Sequence, residues 1–206
     1  MSVGRQSLAV LDLEGVLTPE IWIAVAERTG LDSLRRTTRD EPDIDALFSG
    51  RIEALDAAGI KLDAILEVIE GMTPLEGAVD FLGELRSRLP VLVLSDTFEQ
   101  FGRPLTAKLG EPAMLCHRLI EQDGRLAGYR LRIANQKQRA VEAFQSLNYR
   151  VVAVGDSYND VTMLTQADAG VLFRASAKVA SEHPQFPSCD AYRDLLAIID
   201  EWIAAA

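Results

Sequence analysis

Leu8-Ala9-Val10-Leu11-Asp12-Leu13-Glu14-Gly15-Val16-Leu17 restricts the fold of this chain more than any other segment: an apolar run closes in two carboxylates two residues apart. Carboxylates are costly inside a core, so such a run reads as a buried strand that stops where its acids reach a polar edge. The arrangement occurs twice more. Val91-Leu92-Val93-Leu94 runs into Ser95-Asp96-Thr97, and Val151-Val152-Ala153-Val154 runs into Gly155-Asp156-Ser157-Tyr158-Asn159-Asp160. Continuous apolar strands belong to a parallel sheet covered on both faces, which binds ligands at the carboxyl ends of its strands. Three strands thus deliver Asp12, Glu14, Ser95, Asp96, Asp156 and Asp160 toward one edge.

Between and after these strands the apolar period changes to that of helices, which predicts an α/β, doubly wound parallel sheet. Ala78, Leu82, Leu85 and Leu89 keep helical spacing until Pro90, and Phe98 to Leu109 forms a second helix ending at Gly110. Met114 to Leu119 reads as a strand, with Asp123-Gly124 turning it into a partner over Gly128 to Ile133. Helices are expected over 137–147, 159–167 and 192–204, with a short last strand over 170–173. The stretch before residue 76 breaks the alternation. Thr18-Pro19-Glu20 opens one helix that Gly30 closes, Ile44, Leu47, Phe48, Ile52 and Leu55 stripe a second, and Leu62, Ile65, Leu66 and Ile69 stripe a third. We read residues 15–75 as a helical cap inserted into a core of residues 1–14 and 76–206, placed to close over a small substrate.

Composition narrows the function classes. A net charge of −10 over 206 residues argues against nucleic acid or an anionic membrane, both of which need a basic surface. No apolar run approaches the roughly 18 residues of a membrane span, and no leader-type apolar segment precedes Asp12. Cys116 and Cys189 are read as two buried thiols, and a cytoplasmic setting is expected. His117 and His183 are the only histidines, so most histidine-based zinc or triad schemes fall away; His117 reads as a packed strand residue, and Trp22 and Phe48 as cap core.

One residue carries a functional argument on spacing alone. Arg51 lies in the middle of the apolar stripe of the second helix, where an inward charge needs a counter-ion. A substrate carboxylate fits, as does a snorkelling stem or a nearby Glu. The other candidates have plainer readings too. Asp12 and Asp156 suit turns, Glu14 a solvated loop, Ser95 and Asp96 helix N-caps, Glu20 a helix first turn, and Lys137 the surface.

Taken in order, Asp12-Leu13-Glu14-Gly15-Val16, Ser95-Asp96-Thr97, Lys137 and Gly155-Asp156-Ser157-Tyr158-Asn159-Asp160 resemble the haloacid dehalogenase superfamily of phosphotransferases. The resemblance covers almost the whole chain. Leu11 to Ala24, Leu94 to Phe98, Gly155 to Asp160 and Glu182 to Pro187 narrow it to the phosphoserine phosphatases, including their branch that also transfers phosphate to homoserine. It implies a core with a C1-type cap, Mg²⁺ held by Asp12, the Glu14 carbonyl and Asp156, and Asp160 orienting coordinated water. It also implies Asp12 as nucleophile and Glu14 as general acid and base, a position where most relatives carry Asp. Ser95, Asp96, Lys137 and Asn159 would bind the substrate, Ser95 and Lys137 through its phosphoryl oxygens, while Arg51 and Glu20 would take its carboxylate and ammonium. The implied substrate is O-phospho-L-serine, with homoserine as a second acceptor and a place in serine and threonine biosynthesis. Two other functions compete: the same chemistry on another small phosphomonoester, and a phospho-accepting, Mg²⁺-binding regulatory domain.

Overall fold

Residues 4–37 and 44–205, the Ile44 side chain excepted, are described in the computed structural model, so that member of the second stripe lies outside the described residues. The first strand, β1 (Gln6–Leu11), leads into α1 (Ile21–Thr29), a 3₁₀ turn at Asp32–Arg35, α2 (Ile44–Ala57) and α3 (Leu62–Gly71). Next come α4 (Ala78–Arg88), β2 (Val91–Phe98), α5 (Glu99–Lys108), β3 (Ala113–Gln122), β4 (Arg125–Arg130), α6 (Gln136–Ser146) and β5 (Tyr149–Gly155). The chain ends with α7 (Val161–Gln166), β6 (Ala169–Phe173), α8 (Ala177–Glu182), β7 (Ser188–Cys189) and α9 (Tyr192–Ala204). The strands form one sheet in the order β4-β3-β2-β1-β5-β6-β7, parallel throughout except for the β3–β4 hairpin. This is the doubly wound class expected.

Alternation along each strand sorts the core into two layers. Leu8, Val10, Val151 and Ala153 face α6, α7 and α8 through Ala140, Val141, Met163 and Val179. Ala9, Leu11, Val152 and Val154 face the other way, toward Phe81 and Leu85 of α4, Phe101 of α5 and Leu195 of α9. The inserted helices join this second layer: Trp22, Val25, Phe48, Leu55, Ile65 and Ile69 belong to the same apolar cluster. The insertion is therefore packed continuously with one face of the sheet.

The structure revises several local expectations. Helix α1 starts at Ile21, and its first free amide is taken by Glu14, whose Oε2 accepts from Ile21 N at 2.8 Å, while Thr18 supplies no cap. In the hairpin, Asp123 and Gly124 both take positive φ (53° and 73°), so β4 begins at once with Arg125, and Leu131 and Ile133 fall beyond it, exposed. Ser95, Asp96 and Thr97 lie within β2, where its pairing with β3 shifts register between Leu94 and Phe98, and Phe98 holds the N-cap position of α5. The short α8 and two-residue β7 went unread because neither is long enough to show a period.

Helix α9 is fastened over the loop after β1. The Tyr192 ring stacks on Phe81 and Phe173, each with centroids 4.7 Å apart, and its hydroxyl donates to Val16 O at 2.6 Å. Burial pushes this phenol up to about 12, so it stays a donor at any working pH. Tyr192→Phe should keep the stacking, leave the Val16 carbonyl unpaired, and cost about 1 kcal/mol, a fall in Tm of about 2–4 °C. Thermal unfolding followed by circular dichroism checks this, and an unchanged Tm would show that the bond contributes nothing net.

Candidate active site

Asp12 follows β1 directly, and its amide still pairs with Val154 O at 2.9 Å, so the sheet ladder itself fixes where the carboxylate emerges. Its Oδ1 accepts from Leu13 N at 2.8 Å and lies 2.9 Å from Lys137 Nζ; no described residue donates to Oδ2. Lys137, in the first turn of α6, is 2 % exposed, and its ammonium also lies 2.8 Å from Asp160 Oδ1 and 3.4 Å from Asp96 Oδ2. Asp160 is fully buried, and its second oxygen accepts from Asp156 N (3.0 Å) and Ser157 N (3.3 Å). Both Asp160 oxygens are thus engaged by the protein, whereas Asp12 keeps one free.

The acids crowd one another. Ligand atoms of Asp12, Asp156 and Asp160 all lie within 4.8 Å. Burial, then the Asp160 charge, pushes the Asp12 carboxyl well above its ordinary value although Lys137 opposes the shift. The same two causes push Asp156 up to about 7. Burial would lower the Lys137 ammonium, but Asp12, Asp160 and Asp96 together hold it well above its ordinary value. One lysine does not balance this set, and the remaining deficit of positive charge is what a hard divalent cation among oxygen donors satisfies. Two glycines keep the cradle open. A Cβ on Gly15 would fall 2.4 Å from Asp156 Cγ, and one on Gly155 would fall 2.3 Å from Asp160 Cβ.

A cavity of about 570 Å³ opens from this edge, lined by Asp12, Glu14, Ser95, Asp96, Lys137 and Asp156 from the core and by Glu20, Trp22, Phe48 and Arg51 from the insertion. The structure thus brings every sequence-predicted site residue to one place, Asn159 lining the cavity and Asp160 standing behind it. Burial, reinforced by Glu20, pushes Glu14 up to about 8. Arg51 is 6 % exposed, with its guanidinium 4.5 Å from the Trp22 ring and 5.2 Å from that of Phe48. Its Nη2 donates to Arg36 O at 2.7 Å, and its buried Nε finds no hydrogen-bond partner among the described residues. Burial lowers it to about 10, against the pull of Glu14 and Glu20, so it remains charged at neutral pH. Trp22 and Phe48 are core residues as expected, and they are also cavity wall.

Sequence reasoning missed a polar group around Asp96. Gln136 donates to Ser95 O and, at 3.1 Å, to Asp96 Oδ1; Asn159 Nδ2 donates to Asp96 Oδ2 at 3.3 Å. His117 is packed as expected, yet its Nε2 faces Asp96 Oδ1 at 3.7 Å while Nδ1 accepts from Arg132 N at 3.2 Å. Burial would raise Asp96, but Lys137, His117, Gln136 and Asn159 together hold it well below the usual carboxylate range. Ser95 and Asp96 cap no helix; Ser95 Oγ accepts from Thr97 N at 3.2 Å, turning the strand end inward. No spacing rule announces Gln136 or His117, whose partners lie on other elements.

Comparison with known proteins agrees with this geometry. The sequence model of the haloacid dehalogenase-like hydrolases matches residues 7–168. Over 189 residues the chain is 55% identical to phosphoserine phosphatase ThrH of Pseudomonas aeruginosa, covering 91% of this chain and 92% of that one. It is 54% identical to a phosphoserine phosphatase of Pseudomonas syringae pv. tomato, covering 91% and 80%. A solved phospho-aspartyl intermediate analogue of phosphoserine phosphatase superimposes with a TM-score of 0.78 over 94% of this chain and 99% of that chain, at 23% identity, a likeness of fold.

Gly15 gives the cradle its sharpest test. Its φ is +79°, and an added methyl would displace the Asp156 carboxylate. Gly15→Ala should fold with a modest loss of stability while turnover drops about a hundredfold, the cost of moving a site group by an ångström. Circular dichroism and steady-state rates together check this; full activity would mean that Asp156 has room to spare.

Proposed function

The chain belongs to the haloacid dehalogenase-like hydrolases, and on that footing we propose that it hydrolyses O-phospho-L-serine through a phosphate ester on Asp12. The observation that carries this reading is one cavity lined both by the Asp12–Lys137–Asp156 edge and by the buried Arg51 guanidinium, whose Nε finds no partner among the described residues. A small ligand with a phosphate for one and a carboxylate for the other matches it. A phospho-accepting regulatory domain has no use for such a substrate pocket, and the family match is to hydrolases.

Asp12 Oδ2, the oxygen without a protein donor, attacks phosphorus in line with the serine oxygen. The new P–O bond to Asp12 forms as the P–O bond to serine breaks. Glu14, held protonated near neutral pH by its burial, passes its proton to the departing oxygen. Lys137 and the Ser95 hydroxyl receive the phosphoryl oxygens. In the second half, Glu14 as carboxylate takes the proton of an incoming hydroxyl whose oxygen attacks phosphorus, and Asp12 is released. Water gives free phosphate. Homoserine carries the same carboxylate and ammonium as serine, so Arg51 and Glu20 dock it with its hydroxyl toward Asp12, and we include it as an acceptor.

The donor set fits Mg²⁺: hard carboxylate oxygens of Asp12 and Asp156 would hold it, joined by the Glu14 carbonyl as the resemblance implies, with Asp160 behind, its oxygens already engaged by Lys137 and by the amides of Asp156 and Ser157. When bound, the ion supplies the positive charge that lets an anionic nucleophile meet an anionic ester. Residues 15–75 act as the cap and residues 1–14 and 76–206 as the core. We place the reaction in the cytoplasm, with both cysteines free thiols; among the described residues no helix is long and apolar enough to cross a membrane.

Phosphate release from phosphoserine with and without Mg²⁺ tests the reading, with Asp12→Asn expected to lose at least about a thousandfold in turnover. In the same assay, added homoserine should divert phosphate into phosphohomoserine, visible by mass spectrometry. Activity near the unsubstituted level in Asp12→Asn sinks the mechanism, and serine plus inorganic phosphate alone at high homoserine leaves a plain phosphatase.

Arg51→Ala isolates recognition of the carboxylate. It should cut kcat/KM for phosphoserine by about ten- to a hundredfold, a charge-assisted hydrogen bond's worth. Phosphoethanolamine, which lacks the carboxylate, should react almost unchanged. Equal losses on both would make Arg51 a packing residue.

A further inference from the structure

Lys137 sits among three carboxylates, hydrogen-bonded to Asp160 and ion-paired with Asp12 at 2.9 Å and Asp96 at 3.4 Å, so a phosphoryl oxygen that reaches the ammonium competes with them. One neighbour must yield. Asp160 is fully buried with both oxygens engaged, and Asp12 sits 2.9 Å away with its Oδ1 also held by the Leu13 amide. Asp96 is the longest of the three at 3.4 Å, and its side chain is 41% exposed, facing the cavity. It also has other donors, Gln136 at 3.1 Å and Asn159 at 3.3 Å, with His117 Nε2 nearby at 3.7 Å. His117 accepts from the Arg132 amide through Nδ1, which leaves the proton of the neutral ring on the Nε2 that faces Asp96. Gln136 is itself held, accepting from Arg132 Nε at 3.3 Å and Nη2 at 3.2 Å. Asp96 can therefore release Lys137 and remain hydrogen-bonded as an anion.

We propose that Asp96 is a positioning residue that stands in for a phosphoryl oxygen on Lys137, holding the ammonium in place before substrate arrives and weakening retention of phosphate afterwards. This rests on the reading that Ser95 and Lys137 receive the phosphoryl group. A fixed carboxylate beside a dianion raises the free energy of every phosphate-bound state. The ester offsets that cost through its carboxylate and ammonium at Arg51 and Glu20, whereas inorganic phosphate has neither handle. The product is thus the species that Asp96 expels.

Calorimetric titration of inorganic phosphate into the Mg²⁺-loaded enzyme, beside phosphate inhibition of phosphoserine hydrolysis, tests this on Asp96→Asn and Asp96→Ala. Both variants should bind phosphate about tenfold more tightly than the unsubstituted enzyme, with KM for phosphoserine falling in the same direction. Damage to the site would weaken both. Phosphate binding that is unchanged or weaker in a variant with an unchanged Tm overturns the proposal, and either variant alone suffices if the other does not fold. Phosphate that fails to compete with phosphoserine in the unsubstituted enzyme overturns the reading of the Ser95–Lys137 pocket, and the proposal with it.

Discussion

A lysine ammonium buried at the carboxyl edge of a parallel sheet lets acids from three strands share one small volume. Lys137 meets Asp12, Asp96 and Asp160, which arrive from β1, β2 and the loop after β5. Without it, three carboxylates would face one another in a poorly solvated space, a state that proteins relieve by protonating or by moving apart. With it, the sheet can end in acids on adjacent strands while the runs of β1, β2 and β5 that lead to those ends stay apolar. The balance is deliberately incomplete. Asp12 and Asp156 are still pushed upward by burial and by Asp160, and that residual strain is the driving force for taking up a cation in the arrangement we propose.

The insertion is tied to this edge by more than apolar contact. Glu14, three residues past the end of β1, accepts the first free amide of α1, so the start of the inserted helix and the proposed acid–base group are one unit. Trp22 of α1 and Phe48 of α2, packed edge to face on each other, then flank the Arg51 guanidinium, 4.5 and 5.2 Å from it. Desolvated beside two rings, and with no described residue bonded to its Nε, that guanidinium is set up to gain from a carboxylate more than a surface arginine would.

What was legible in the sequence follows from what is periodic or abrupt. The strands of the sheet centre show in the sequence as apolar runs with sharp acidic ends, and those ends carry Asp12, Asp96 and Asp156 to one edge of the sheet. Arg51 showed because a charge interrupts an apolar stripe, and it is buried as that implied. Interactions made across elements left no such trace. Gln136 supports Asp96 from 40 residues away, and His117 does so from a neighbouring strand. The N-cap of α1 was misplaced for the same reason: Thr18 and Pro19 have the local chemistry of a helix start, but the amide is satisfied from seven residues upstream by Glu14. Local propensity yields to a tertiary partner whenever that partner is better placed.

Reaction chemistry and substrate choice are therefore built from parts of different stiffness. The polar edge rests on the sheet ladder, with the Asp12 amide paired to β5 and two glycines holding positions where any side chain would strike a carboxylate. Such parts tolerate almost no change in shape. The opposite lining comes from helical side chains, Trp22, Phe48 and Arg51, whose replacement leaves the edge intact so long as the shared apolar layer stays filled. On the proposed mechanism, a chain of this design can alter which phosphate ester it accepts by a few substitutions in α1 and α2, while the attack on phosphorus stays with the strand ends.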